Sequence, residues 1–286
     1  MARTPVDEII PKIFEDLKFT QEYGRPYSVS GHYYVSKEAA TALLARLYWY
    51  TDDLANARTE AEKIITSPNM GITNNYQGIW KLQNFKEVIM AIGGLPDSNN
   101  GMGWETLHQT AGGRFNHAVE RSLVNDFAKE PTDSRRAVIV DIPGLTENPD
   151  VAYYTVKYPP NTEADFWPIT RVAEMYLISA EAQGYPSGLA RLNQLRVARN
   201  VPELTTATIT NATQFYEAVM RERRLELCFE GFRWVDLSVI CRRYNLNITQ
   251  YLPNIKDIND YNLWYPVLQS EIMINPNLKQ NQGYGN

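Results

Sequence analysis

The chain has 286 residues, enough to bury a substantial core as one large domain or two smaller ones. Hydrophobic residues make up 44% and charged residues 21%, an ordinary globular balance, and no apolar run approaches the ~18 residues that span a bilayer. A formal net charge of -5 argues against the broad electropositive surface that tracks phosphates, so no nucleic-acid partner is expected.

Val6, Ile9, Ile10, Ile13, Phe14 and Leu17 recur at spacings of three and four and predict an amphipathic helix over 4–17. The run to Ser36 reads mostly as loop. Ser36 is placed to cap a second helix through Tyr50, because its hydroxyl can accept from unpaired first-turn amides. Asp52-Asp53 interrupts, and a third helix, Leu54 to Ile65, aligns Ala57, Ala61, Ile64 and Ile65 for close approach to the second. The segment from Gly93 to Asn116 has Gly, Asn, Ser and isolated aromatics without periodicity and reads as a long irregular loop. Asp141 to Asp165 is similar, with Tyr153, Tyr154, Val156 and Tyr158 as a short strand.

A second helical pair follows, Val172 to Gln183 and Leu189 to Arg199, turned by Gly184-Tyr185-Pro186-Ser187. Asn211 with Gln214 resembles a capping box opening one long core helix through about Ile240, with Leu225, Cys228, Phe229 and Phe232 as its apolar stripe. After Tyr244 an Asn- and Pro-rich tail is expected to wrap the helical body. The expected architecture is mainly α: tetratricopeptide-like helical hairpins with long irregular loops, one domain over 1–286 with irregular inserts at about 66–121 and 137–165.

The densest charged motif is Arg221-Glu222-Arg223-Arg224-Leu225-Glu226, continuing through Glu230, Arg233 and Asp236. Glu222, Glu226 and Glu230 are i, i+4 neighbours interleaved with arginines, a spacing that ordinary salt bridging explains. Arg223, Glu226, Glu230, Arg233 and Asp236 are therefore expected to lock this helix to its neighbours. No HExxH spacing joins His32, His108 and His117. Gly101-Met102-Gly103 lacks the third glycine of a dinucleotide fingerprint, and no GxSxG elbow occurs. Cys228 and Cys241 show no zinc spacing. No cofactor, metal site or catalytic residue is expected. A carboxylate glycosidase is the enzyme alternative, since its two acids are defined by spatial separation. A cytoplasmic peptide-binding helical scaffold is the other, as the first residues lack a secretory signal.

Four segments in order resemble the SusD/RagB family. They are Ser36-Lys37-Glu38-Ala39-Ala40 through Tyr48 with Asp53-Leu54-Ala55-Asn56-Ala57; Ile169-Thr170-Arg171-Val172-Ala173-Glu174-Met175-Tyr176-Leu177 through Ala182 with Leu192-Asn193-Gln194-Leu195-Arg196; Glu222-Arg223-Arg224-Leu225-Glu226-Leu227-Cys228-Phe229-Glu230-Gly231-Phe232-Arg233-Trp234-Val235-Asp236-Leu237; and Tyr265-Pro266-Val267-Leu268 with Asn275-Pro276-Asn277-Leu278 and Gln280 to Tyr284. The resemblance implies a mostly helical nutrient-binding lipoprotein at the bacterial outer membrane. Such a protein binds an oligosaccharide or other nutrient, without catalysis, and caps a SusC-like TonB-dependent outer-membrane transporter. The family's lipid-anchoring cysteine and the helical part before the first segment do not appear among these residues, so the chain reads as the C-terminal portion of a longer architecture.

A sugar presents apolar C–H faces between hydroxyl edges, so its recognition needs an aromatic plane beside a few hydrogen-bonding groups. The 93–116 loop contains both. Trp104 is the expected platform, with His108, Phe115 and Asn116 beside it and Tyr153 and Tyr154 as weaker candidates.

Overall fold

The computed structural model describes residues 2–28, 32–81, 86–93, 102–142, 152–158 and 166–285. Helices dominate, and the paired segments expected from periodicity form, the first pair opening at the expected Ser36 cap. The first helix, α1 (Val6–Tyr23), runs six residues beyond Leu17, with Phe19 and Tyr23 in ring contact 4.9 Å apart on its extra turns. Ser36 caps α2 (Lys37–Tyr50) by accepting from the Ala39 amide at 3.0 Å. Asp53 caps α3 (Leu54–Ile65) by accepting from Asn56 at 3.1 Å. Ala57, Ala61 and Ile64 are buried against α2 and against α7 (Val172–Gln183). Gly184, at φ +67°, then turns the chain into α8 (Leu189–Ala198), which packs back on α7.

Between the two pairs come α4 (Tyr76–Trp80), α5 (Met102–Thr106) and α6 (Arg121–Ala128). Two small antiparallel ribbons accompany them: β1 (Val88–Gly93) with β4 (Phe166–Arg171), and β2 (Ile139–Asp141) with β3 (Tyr153–Thr155). Of these strands only β3 is expected from the sequence. No helix among the described residues is long and apolar enough to cross a membrane.

The expected single helix from Asn211 to Ile240 is two. Asn211 opens α9 (Ala212–Glu226), accepting from Gln214 at 2.9 Å, while the Gln214 side chain reaches back to the Thr210 amide at 2.8 Å. The chain breaks over 227–232, where Phe229 stands at φ +66° and Gly231 at φ +84°, both in the left-handed region that a helix cannot accommodate. It resumes as α10 (Arg233–Tyr244). Leu225, Cys228, Phe229 and Phe232 therefore form no continuous helical stripe, although Leu225 and Cys228 are buried. The tail packs on the body as expected: Ile248, Ile255 and Leu263 join the core beneath α10, and the Trp234 indole donates to the Leu263 carbonyl at 3.0 Å. Farther on, a short helix, α11 (Gln269–Ile274), stays on the surface.

The motif's carboxylates pair with cations on other elements and not with the arginines interleaved at i, i+4, and so lock the segment to its neighbours as expected. Glu226 receives Arg171 and Arg199, each at 2.9 Å, and Arg135 at 3.2 Å. Glu230 takes Arg171 and Lys157, each at 2.7 Å; Glu222 takes Arg135 at 2.6 Å and Arg196 at 2.7 Å. With Asp133 and Glu87 on Arg135 and Arg171, five buried carboxylates meet five buried cations. Equal numbers matter, because an unmatched charge at this depth would cost several kcal/mol. Burial alone would raise the Glu226 carboxyl, but Arg199, Arg171 and Arg135 outweigh it and hold its pKa well below the usual range. Glu222 and Glu230 are lowered in the same way, by Arg135 and Arg196 and by Arg171 and Lys157. Arg223 links α9 to Asp236 of α10 at 2.7 Å. Arg233 departs from the expected lock: among the described residues it makes no ion pair, and its guanidinium lies 5.6 Å from the Tyr251 ring centroid.

Candidate functional site

The buried network is also a mount. Arg135 lies in the 3-10 turn Ser134–Val138 that leads into β2, and Lys157 closely follows β3, so the ribbon emerges between two cations anchored on Glu222, Glu226 and Glu230. Within it, the Thr155 hydroxyl donates to the Val138 carbonyl at 2.9 Å. The 102–119 segment docks on this ribbon. Val119 donates its amide to the Tyr153 carbonyl at 2.9 Å, and the His108 ring lies 5.9 Å from Tyr154.

The segment folds on itself for reasons local to its sequence. After α5 a short 3-10 turn, Gln109–Ala111, leads to Gly112 at φ +84°. Gly113 then passes so close to the Leu107 carbonyl that a Cβ would stand 2.1 Å from its oxygen. This return brings the Phe115 amide to the Leu107 carbonyl at 3.0 Å and the Asn116 amide to the Glu105 carbonyl at 2.9 Å. Phe115 itself sits at φ +56°, a conformation that bulky residues adopt only where the surroundings impose it. Its ring meets His108 edge-on at 5.0 Å.

Four of the six expected residues thus gather. His108, Phe115 and Tyr154 form a half-buried ring cluster, and exposed Asn116 stands next to Phe115, its amide group donating to the Glu105 carboxylate. Tyr153 faces elsewhere, with the Arg121 guanidinium 5.3 Å from its ring centroid. The backbone of Trp104 lies in α5; its side chain lies outside the described residues. Glu105 and Arg114, paired at 3.3 Å, were not among the expected residues. Their signal is plain in retrospect, since they are the one acid and the one strong base between Met102 and Asn116.

As chemistry, the cluster is a set of aromatic planes beside an amide, a carboxylate and a guanidinium, which suits stacking and hydrogen bonding to a polyhydroxylated ligand. Glu222, Glu226 and Glu230 have pKa values lowered by the cations around them, the reverse of a proton-donating acid. Cys228 and Cys241 are buried thiols whose pKa values burial raises, so neither is poised as a thiolate. Among the described residues no cluster of three His, Cys, Asp or Glu side chains is arranged to hold a metal ion.

Residues 145–284 match the model of the SusD family. The fold superposes on a SusD superfamily protein from Bacteroides vulgatus with a TM-score of 0.80 at 19% identity, covering 99% of this chain and 70% of the other. The chain is SusD-like in fold, and residues 145–284 carry the family's sequence pattern. A laminarin-binding SusD-like protein superposes with a TM-score of 0.75 at 21% identity, over 97% of this chain and 69% of its own. In sequence, a SusD-like protein of Formosa agariphila is 25% identical over 342 residues, covering 99% of this chain. The chain spans 66% of the length of that relative and of a second from the same organism. The Phe229 to Gly231 break and the carboxylates Glu222, Glu226 and Glu230 fall inside the segment that the family model matches, while Glu87, Asp133 and Arg135 of the network precede it.

Proposed function

We propose that the chain is a non-catalytic glycan-binding protein of the bacterial cell surface, held at the outer membrane by an N-terminal lipid anchor. It delivers its ligand to a SusC-like TonB-dependent transporter. In this reading residues 1–286 act as one domain whose rigid helical body carries the ligand loop. The observation that supports it most is the ring cluster of His108, Phe115 and Tyr154 on the outward ribbon, flanked by the polar set of Asn116, Glu105 and Arg114. A glycan as ligand class also agrees with the laminarin-binding SusD-like neighbour. Trp104, adjacent in sequence to Glu105, belongs to the same proposed platform.

The test is calorimetric titration with laminarin oligosaccharides, comparing the wild type with His108→Ala and Trp104→Ala at equal folded fraction. Saturable binding that weakens about tenfold, ~1.4 kcal/mol, in either variant is the expected outcome. Unchanged affinity in both would remove the loop from the site. Reproducible release of shortened sugars, abolished by replacing one carboxylate, would replace binding with hydrolysis.

A further inference from the structure

A cavity of about 260 Å³ opens between α9, α10 and the 227–232 break, and none of the six expected residues lines it. It is smaller than typical drug-sized sites and has room for about one ring. Phe229, Phe232 and Tyr251 contribute its aromatic walls.

The charges facing it do not balance. Arg223, Arg224 and Arg233 line the cavity against Glu120 and Asp236. Asp236 is held by Arg223 at 2.7 Å, and the largely solvent-exposed Glu120 lies 3.2 Å from Arg224. Arg224 also has Asp126 at 2.7 Å. Arg233 is the cation left over. Burial, with the repulsion of Arg224 added, lowers its pKa to about 10, so it remains charged at neutral pH in a place that disfavours charge. Beneath it, Arg223 is fully buried, with Nε and Nη1 lacking hydrogen-bond partners. The 12-residue helix α10 also begins here. Its cap, Phe232, makes no side-chain capping bond, and the positive end of the helix dipole adds to the same field.

We propose that this cavity binds a small carboxylate carried on a single ring, such as a hexuronate. Arg233 is its counter-ion, and the aromatic walls meet the ring. The site is separate from the 102–116 loop and does not depend on that loop's role. Ala118, exposed at the rim, allows the mouth to be blocked without altering any charge.

The experiment is calorimetric titration with D-glucuronate, D-glucose and acetate in parallel, on the wild type, Arg233→Gln and Ala118→Phe, each checked for an unchanged melting curve. Glucuronate should bind saturably, at least tenfold more tightly than glucose or acetate, and both variants should weaken it at least tenfold. Ala118→Phe keeps the test intact if Arg233→Gln folds poorly. The proposal is overturned if glucuronate does not bind saturably or is matched by glucose or acetate. Equal glucuronate affinity in wild type and Ala118→Phe overturns it too. Loss of neutral glycan binding at the loop would leave these outcomes unaffected.

Discussion

The network around Glu226 and the loop around Phe115 use polar residues in opposite ways. In the network, five carboxylates and five cations are almost wholly removed from water and satisfy one another across α9, β4, α8 and the turn before β2. In the loop, one acid and one base, Glu105 and Arg114, sit part-exposed and hold only their own segment together. Where charges are dense and buried they specify which elements meet; where they are sparse and wet they leave side chains available. The charged motif that would suggest catalysis in isolation is taken up by pairing between elements, while the sparser loop leaves aromatic and polar side chains part-exposed.

Breaking the network should have the largest effect. Glu226→Gln strands Arg171, Arg199 and Arg135 around a neutral amide, and removing one partner of a buried pair costs about 3–5 kcal/mol. Chemical denaturation should show that loss. A change under about 1 kcal/mol would mean that the pairs are not formed at this depth.

Acid should act on the same groups more gradually. Glu222, Glu226 and Glu230 have pKa values lowered in the folded chain, so below the ordinary carboxylate range of about 4.3 the unfolded chain takes up protons that the folded chain refuses. Their contribution is present in full above that range and is lost as pH falls through the folded values. Melting temperature should therefore be nearly flat from pH 7 to about 5.5 and fall steeply below about 4.5, with a shallower fall in Glu226→Gln. Identical acid profiles would assign the acid sensitivity to other carboxylates.

In the loop the expected effect on stability is smaller. Gly113→Ala places a methyl 2.1 Å from the Leu107 carbonyl oxygen and forces the Gly112–Phe115 return to open. Global stability should drop by no more than about 1 kcal/mol, because the loop lies outside the helical body. The ring contact between His108 and Phe115 should be lost, seen as a change in their NMR chemical shifts. An unfolded variant would place the loop inside the cooperative core.

What could be read in advance followed the range of the forces involved. Ser36, Asp53 and Asn211 announce their helices because a cap acts within three residues, and Ala57, Ala61 and Ile64 follow from helical spacing alone. The break after Glu226 had one local sign, Gly231, masked by the apolar spacing of Cys228, Phe229 and Phe232. The β1–β4 ribbon had none: Val88, Ile89 and Ala91 are buried without alternation, and their partners lie some 80 residues away, from Val88 to Arg171. The same distance hid the network, since i, i+4 spacing names the carboxylates but not Arg135, Arg171 and Arg199. In the loop, His108, Phe115 and Asn116 were legible as composition. Their meeting with Tyr154 was not, because the ribbon that brings them together is held by the network.

We propose that a rigid, ion-locked body carries a loop whose own stability is low and whose role is to meet ligand. Hydrogen exchange with and without a saturating laminarin oligosaccharide tests it most directly. Amides of α7 and α9 should exchange only with global unfolding in both conditions, and amides of Phe115 and Asn116 should exchange by local opening until the oligosaccharide protects them. Saturable binding that leaves the Phe115 and Asn116 amides unprotected, or that slows exchange in α7 and α9 instead, would contradict the account.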